Sequence, residues 1–237
     1  MNERFYFRQL LAGRDFAVGD ALATQMVNFV YVLGDRESGD AVLVDPAYRA
    51  RELVELVESD GMRVTGAVAT HYHPDHVGGD MMGHEIEGIA ELLEVNDVPV
   101  HVQAEEVPWV ERVTGVAAAS LVAHGSGDRL AVGGLDVTLI HTPGHTPGSQ
   151  CLLVEGRLLS GDTLFLEGCG RTDLPGSDPE EMYQTLSQRL TSVSDDTVLC
   201  PGHFYATEPS APMGEVRRSN YVLAPSSSHE WLARFGR

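Results

Sequence analysis

Four side chains able to bind a metal fall within six positions at His71-Tyr72-His73-Pro74-Asp75-His76. Imidazole nitrogen and carboxylate oxygen are the donors that zinc, manganese and ferrous iron accept. In an extended segment alternate side chains point the same way, so His71, His73 and Asp75 can face one cavity, and a turn then brings His76 round. Three further candidates follow at His145 (Thr142-Pro143-Gly144-His145), Asp162 (Ser160-Gly161-Asp162-Thr163) and His203 (Pro201-Gly202-His203). Each comes after an apolar run and beside a glycine, which lets the backbone turn sharply and approach an ion closely. A lone His or Asp in a turn is usually a cap or a surface residue. Seven in this order make a metal centre.

Such residues need a rigid frame. Met26 to Leu33 and Ala41 to Val44 are rich in β-branched and aromatic residues and read as strands, as does Val64 to Ala69, which ends just before the histidine group. Arg49 to Glu58 places Leu53, Leu56 and Val57 on one helical face. His84 to Leu93 reads as a helix, Pro99 to Val102 as a strand, and Glu105 to Val113 as a helix interrupted near Pro108. Leu135 to Ile140 and Ser149 to Leu159 read as strands, the latter run turning at Glu155-Gly156. Pro179 to Leu190 is an amphipathic helix with Asp178 as N-cap and Glu181 completing a capping box. Thr197 to Cys200 is a last short strand. Short apolar runs alternating with helices suggest an α/β chain folded as an αββα four-layer sandwich. No repeat or linker divides it, so residues 1–237 are expected to form one domain, with an inserted piece at 78–95 and a short tail at 225–237, where only Trp231, Leu232 and Phe235 offer anchorage.

The 237 residues are 43% hydrophobic and 22% charged, enough to bury a sizeable core. A formal net charge of −19 argues against nucleic acid, whose backbone demands Lys and Arg, and against an anionic membrane. Cys151, Cys169 and Cys200 are widely spaced, which disfavours a disulfide framework and a thiolate zinc site. The opening residues have no apolar signal segment and no run approaches 18 apolar residues, so a cytoplasmic location is expected.

The ordered pattern H-x-H-x-D-H, then His, Asp and His resembles the metallo-β-lactamase superfamily over about residues 26 to 203, with all seven ligand positions filled. Gly161-Asp162-Thr163-Leu164-Phe165, Gly168-Cys169-Gly170-Arg171-Thr172-Asp173 and the Thr142 to Ser149 run resemble its glyoxalase II and persulfide dioxygenase branch. The resemblance implies that His71, His73 and His145 hold one metal, that Asp75, His76 and His203 hold the other, and that Asp162 bridges them. Two divalent ions are implied, zinc first, with iron or manganese as alternatives. Such ions typically stand about 3.5–4 Å apart and lower the pKa of a water from 15.7 towards roughly 7. That water would attack a carbonyl, with Asp75 orienting it. A thiolate of ordinary pKa near 8.5 leaves readily, so a thioester of a small thiol is the expected substrate.

The first alternative is a mononuclear iron persulfide dioxygenase using His71, His145 and Asp162, a two-histidine, one-carboxylate set; a non-catalytic binding member comes third. Two departures from glyoxalase II bear on the thiol. Little chain follows His203, which leaves small room for the helical domain that binds glutathione in that family, and Met81-Met82-Gly83-His84 could line the pocket mouth. Arg171, Tyr72 and Tyr205 are candidate substrate contacts, although Arg171 can instead pair with Asp173. Cys169 is expected to be a small buried residue. His84, His101, His124, His141 and His229 lack the spacing and glycine context of ligands. The oligomeric state is left open.

Overall fold

A computed structural model describes residues 3–236. In chain order its regular elements begin with β1 (Phe5–Leu11), α1 (Ala21–Met26), β2 (Phe29–Asp35), β3 (Asp40–Val44), α2 (Ala50–Ser59) and β4 (Arg63–Val68). Next come α3 (Pro74–Val77), β5 (Gly79–Met81), β6 (His84–Ile86), α4 (Ile89–Val95), β7 (Val100–Gln103), α5 (Val107–Thr114) and β8 (Leu121–His124). The second half holds β9 (Arg129–Val132), β10 (Leu135–His141), β11 (Gln150–Val154), β12 (Arg157–Gly161), α6 (Pro179–Ser187), β13 (Val198–Pro201), β14 (Ala211–Pro212), α7 (Met213–Ser219) and α8 (Ser228–Phe235).

Among the described residues the strands form two six-stranded sheets, ordered β1-β2-β3-β4-β7-β8 and β14-β13-β12-β11-β10-β9, with β5 and β6 as a separate pair. Parallel pairs occur at β3–β4, β4–β7, β7–β8 and β12–β13. Each needs a crossover, and the helices supply it on the outer faces. Side-chain alternation then sorts the apolar residues into three layers. Val30, Val32 and Leu43 face Leu53, Ile89 and Val110 of the first helices. Phe29, Tyr31, Val42 and Val44 pack between the sheets against Val137, Leu139, Leu152 and Leu159. Leu158 and Leu199 meet Met182, Leu186, Val216 and Trp231 of the last helices. The result is the expected αββα sandwich.

The sheets are tied together at one end. Phe29 N–H donates to Gly202 O at 2.8 Å and Phe204 N–H to Val27 O at 2.9 Å, joining the start of β2 to the end of β13. Gln150 N–H donates to Thr70 O at 2.9 Å beside the end of β4. All the candidate ligands lie just beyond the C-terminal ends of β4, β10, β12 and β13, at this junction.

Several local expectations change. The 84–93 run is a strand followed by a helix, because Met82 and Gly83 both take positive φ and fold β6 back on β5. Asp178 does cap α6, accepting from Glu180 and Glu181 N–H at 2.8 and 3.1 Å. Glu181, however, spends its carboxylate on Arg189, and the Asp178 N–H goes to Gly144 O, so no capping box forms. Residues 5–11, not read as a strand from sequence, form the outer strand β1 along the whole of β2. The tail is firmly held: Trp231 is 1% exposed and donates from its indole to Val222 O at 3.0 Å. Among the described residues no helix is long and apolar enough to cross a membrane.

Candidate metal centre

The centre is built from Asp45 upward. This buried residue follows β3 with a positive φ, and its carboxylate accepts the N–H and hydroxyl of Thr70 at 2.6 and 2.7 Å. Thr70 has thereby given away its one hydroxyl proton. His71 Nδ1, 3.0 Å from that oxygen, must therefore be the donor, leaving its Nε2 an unprotonated acceptor. His76 likewise gives Nδ1–H to Asp45 at 2.9 Å. His145 and His203 give theirs to the carbonyls of Arg171 and Met26, both at 2.8 Å. Four imidazoles are thus oriented through one nitrogen, with Nε2 turned inward, the arrangement that fixes the tautomer of a metal ligand.

The inward atoms converge. His145 Nε2 lies 3.0 Å from His73 Nδ1, and His76 Nε2 lies 3.2 Å from His203 Nε2. Asp162 stands between the groups, with Oδ2 at 3.6 Å from His145 Nε2 and 3.4 Å from His203 Nε2, and Oδ1 at 3.4 Å from His76 Nε2. Asp75 Oδ2 is 3.4 Å from His203 Nε2 and accepts from Asn28 Nδ2 at 3.1 Å; Tyr48 in turn donates to Asn28 Oδ1 at 2.8 Å. The glycines permit this crowding. A Cβ on Gly202 would stand 2.5 Å from Asp162 Oδ1, and one on Gly170 would collide with the Asp162 carbonyl and the His145 ring.

Charge sorts the histidines. Burial, with the neighbouring imidazoles, holds His71 well below its ordinary range and His73 down to about 3, and burial also lowers His145. These keep free lone pairs at neutral pH. For His76 burial pulls the same way, but Asp75, Asp162 and Asp45 outweigh it and push the pKa up to about 10. His203 is raised against burial by Asp162 and Asp75. Asp162, despite burial, is held well below the carboxylate range by His203 and His76. With Nδ1 occupied, a proton taken up by His76 sits on its inward nitrogen.

These residues fit metal ions. Among the described residues no protein hydrogen bond is made to the buried atoms His71 Nε2 and Asp162 Oδ1, a costly condition that a cation would relieve. The sets His71, His73, His145 and Asp75, His76, His203 each bring three ligand atoms within 4.8 Å of one another. A third grouping, Asp45, His71 and His76, is accounted for by the hydrogen bonds above. Nitrogen and oxygen donors without thiolate suit zinc, ferrous iron or manganese. Cys169 is mostly buried, with its thiol pushed up to about 12 by burial, and Cys151 and Cys200 are buried and unpaired as well.

Sequence reasoning missed the residues that position the ligands. Besides Asp45, Asn28 and Tyr48, the buried Glu106 stands out. Its carboxylate accepts Tyr72 N–H at 2.7 Å, the Thr146 hydroxyl at 2.7 Å and Gly148 N–H at 2.6 Å. It clamps the loop of His71 and His73 to the loop of His145.

The ligands open into a cavity of about 870 Å³ whose wall includes Met26, Met81, Met82, Phe165, Leu174, Tyr205 and Tyr221. Tyr72 lines it too, stacked on Trp109 with its hydroxyl given to Pro175 O at 2.7 Å. Tyr205 lies flat on His203, rings 4.6 Å apart, and is half exposed. Arg171 is at the rim, its guanidinium forked onto Asp173 at 2.9 and 2.8 Å. Of the other histidines, His84 and His229 are exposed, and His101 pairs with His124 at 2.9 Å, away from the centre.

Comparison with known proteins agrees with this architecture. The chain is 34% identical over 196 residues to a hydroxyacylglutathione hydrolase of Xanthomonas campestris, covering 83% of this chain and 68% of that one. The structure of ETHE1 from Myxococcus xanthus superposes with a TM-score of 0.79 at 26% identity, covering 98% and 90% of the two chains. TTHA1623 in a di-iron-bound form gives 0.67 at 29% identity, covering 83% and 95%. The model of the metallo-beta-lactamase superfamily matches residues 23–203, a span that holds all seven converging side chains, and the chain belongs to that superfamily.

Proposed function

We propose that the protein is a hydrolase using two divalent metal ions to cleave a thioester of a small thiol. The observation that carries this reading is the completeness of the second ligand set. His76 and His203 are oriented by dedicated acceptors and Asp75 by Asn28, an investment that a single ion at His71, His73 and His145 would leave unused. Bound ions would acidify a water and polarise the carbonyl. Asp162 would bridge them. Asp75, at the cavity wall, would orient the attacking water and hold its proton. Tyr205, whose phenol is kept protonated by burial and by Asp162 and Asp75, can donate a hydrogen bond to the substrate across the same space. The similarity to a hydroxyacylglutathione hydrolase supports a thioester. The di-iron form of TTHA1623 supports a paired site and leaves zinc, iron and manganese to be decided by metal analysis.

The test is turnover under nitrogen. The metal-loaded protein should release free thiol from a model thioester without O₂, and His203→Ala, which removes a donor from the second set alone, should lose most of that activity. Iron-dependent O₂ uptake on a thiol persulfide that survives in His203→Ala would overturn the reading in favour of a dioxygenase built on His71, His145 and Asp162.

A further inference from the structure

The cavity mouth carries a specificity of its own. Strands β5 and β6 form a hairpin whose tip, Met82-Gly83, has positive φ at both residues, the geometry of a tight two-residue turn. The base is pinned: a Cβ on Gly79 would stand 2.5 Å from Val113 O of α5, and one on Gly78 would stand 2.7 Å from the Gly88 backbone. The hairpin's base is thus packed closely against its neighbours, and its tip holds Met81 and Met82 at the cavity wall, with Met82 92% exposed. Met82 does not stand alone: it continues an apolar cavity wall that includes Met81, and a mostly apolar concavity opening from a candidate metal centre is the kind of surface that takes a ligand. Phe165, Leu174 and Tyr221 extend the apolar wall. The charges at this wall do not favour an anion. Arg171 is already engaged by both oxygens of Asp173, and Asp80 and Glu167 add negative charge.

Resting on the thioester reading, we infer that the β5–β6 hairpin and the wall at Phe165, Leu174 and Tyr221 form a subsite for an uncharged, apolar arm of the substrate, and that a thiol or acyl arm ending in an anion is disfavoured. Methionine suits this use, being flexible enough to follow chains of different length.

The experiment measures binding and turnover separately. Calorimetry on the metal-loaded protein would use S-ethyl, S-butyl, S-hexyl and S-octyl thioethers of N-acetylcysteamine, which cannot be hydrolysed, and the octyl compound's counterpart ending in a sulfonate, a poor metal ligand. Affinity should rise about twofold to fourfold per methylene. The sulfonate should bind about tenfold or more weakly than its methyl-ended counterpart, because a charge would leave water for an apolar wall. Met82→Asp, at an exposed tip, should flatten the chain-length dependence. Equal affinity across the series, equal or tighter binding of the sulfonate, or an unaltered slope in Met82→Asp would each overturn the inference. If the binding series behaves as expected while none of the corresponding thioesters is cleaved, the hydrolase reading fails and the apolar subsite stands.

Discussion

His76 and His203 approach each other through their Nε2 atoms, 3.2 Å apart, while each has already given its Nδ1–H to a fixed acceptor. Two such nitrogens can share that space only with a proton or a cation between or beside them. Asp75, Asp162 and Asp45 outweigh burial and push the His76 pKa up to about 10, which favours a proton on it at neutral pH when no cation is bound. A metal ion taken up by the proposed second set would displace that proton. Affinity is expected to rise with pH, up to about tenfold per unit for each proton displaced, and to weaken steadily in acid. Calorimetry in two buffers of different ionisation enthalpy at neutral pH should count about one proton released per chain; none released would contradict the assignment of His76.

Glu106→Gln keeps the size of the clamp but replaces one acceptor oxygen by a donor facing either Gly148 N–H or Tyr72 N–H. A buried donor without an acceptor costs about 1–3 kcal/mol, and outer partners of metal ligands are worth about 10–100-fold in metal affinity or activity. Glu106→Gln should therefore bind metal about 10-fold to 100-fold more weakly while keeping its circular dichroism. A lower melting temperature with unchanged metal affinity would reduce Glu106 to a residue of the core.

Trp231 should matter more for stability than for the centre. It is buried against Tyr183 of α6 and Phe235 of its own helix, and its indole N–H is used. Truncation of a buried Trp costs about 3–5 kcal/mol, so Trp231→Ala should shift the denaturant midpoint strongly. Metal stoichiometry of the folded fraction should stay at the wild-type value.

The His101–His124 pair gives stability a pH signature. Burial and then His124 hold His101 down to about 4, below its ordinary 6.5. The unfolded chain thus takes up a proton below about pH 6.5 that the folded chain refuses until about pH 4, so this contribution is present above 6.5 and is lost as pH falls through that window. In His101→Gln, unfolding measured between pH 7 and pH 4 should show a shallower loss of stability than wild type.

The converging His and Asp side chains were legible in the sequence because their signal is local: histidines and aspartates cluster beside glycines at the ends of apolar runs. Their supports were not. Glu106 lies 34 residues from Tyr72 and 40 from Thr146, and nothing near it in the chain marks it as an acceptor. Asp45 and Asn28 sit at strand ends where an acid or an amide ordinarily caps a turn. The αββα layering was only suggested by the alternating apolar runs and gained its support from the ordered histidine and aspartate motifs, whereas in the 84–93 stretch the preceding turn at Met82-Gly83 and the internal Gly88 divide what was read as one helix into β6 and α4. Strand β1 was obscured by Arg8 and Gln9, which its place at the sheet edge tolerates.

The converging donors are divided between the two sheets: His71 to His76 follow β4 of the first, while His145, Asp162 and His203 follow β10, β12 and β13 of the second. An ion held there would be a clasp between the early and late parts of the chain. During synthesis the proposed first set would lack its third imidazole until His145 has left the ribosome, and the proposed second set would stay open until His203 does. Metal binding at these sets would then be coupled to the last steps of folding. A chelator, by the same linkage, should leave each sheet intact and loosen the seam between them, exposing that seam first to proteases.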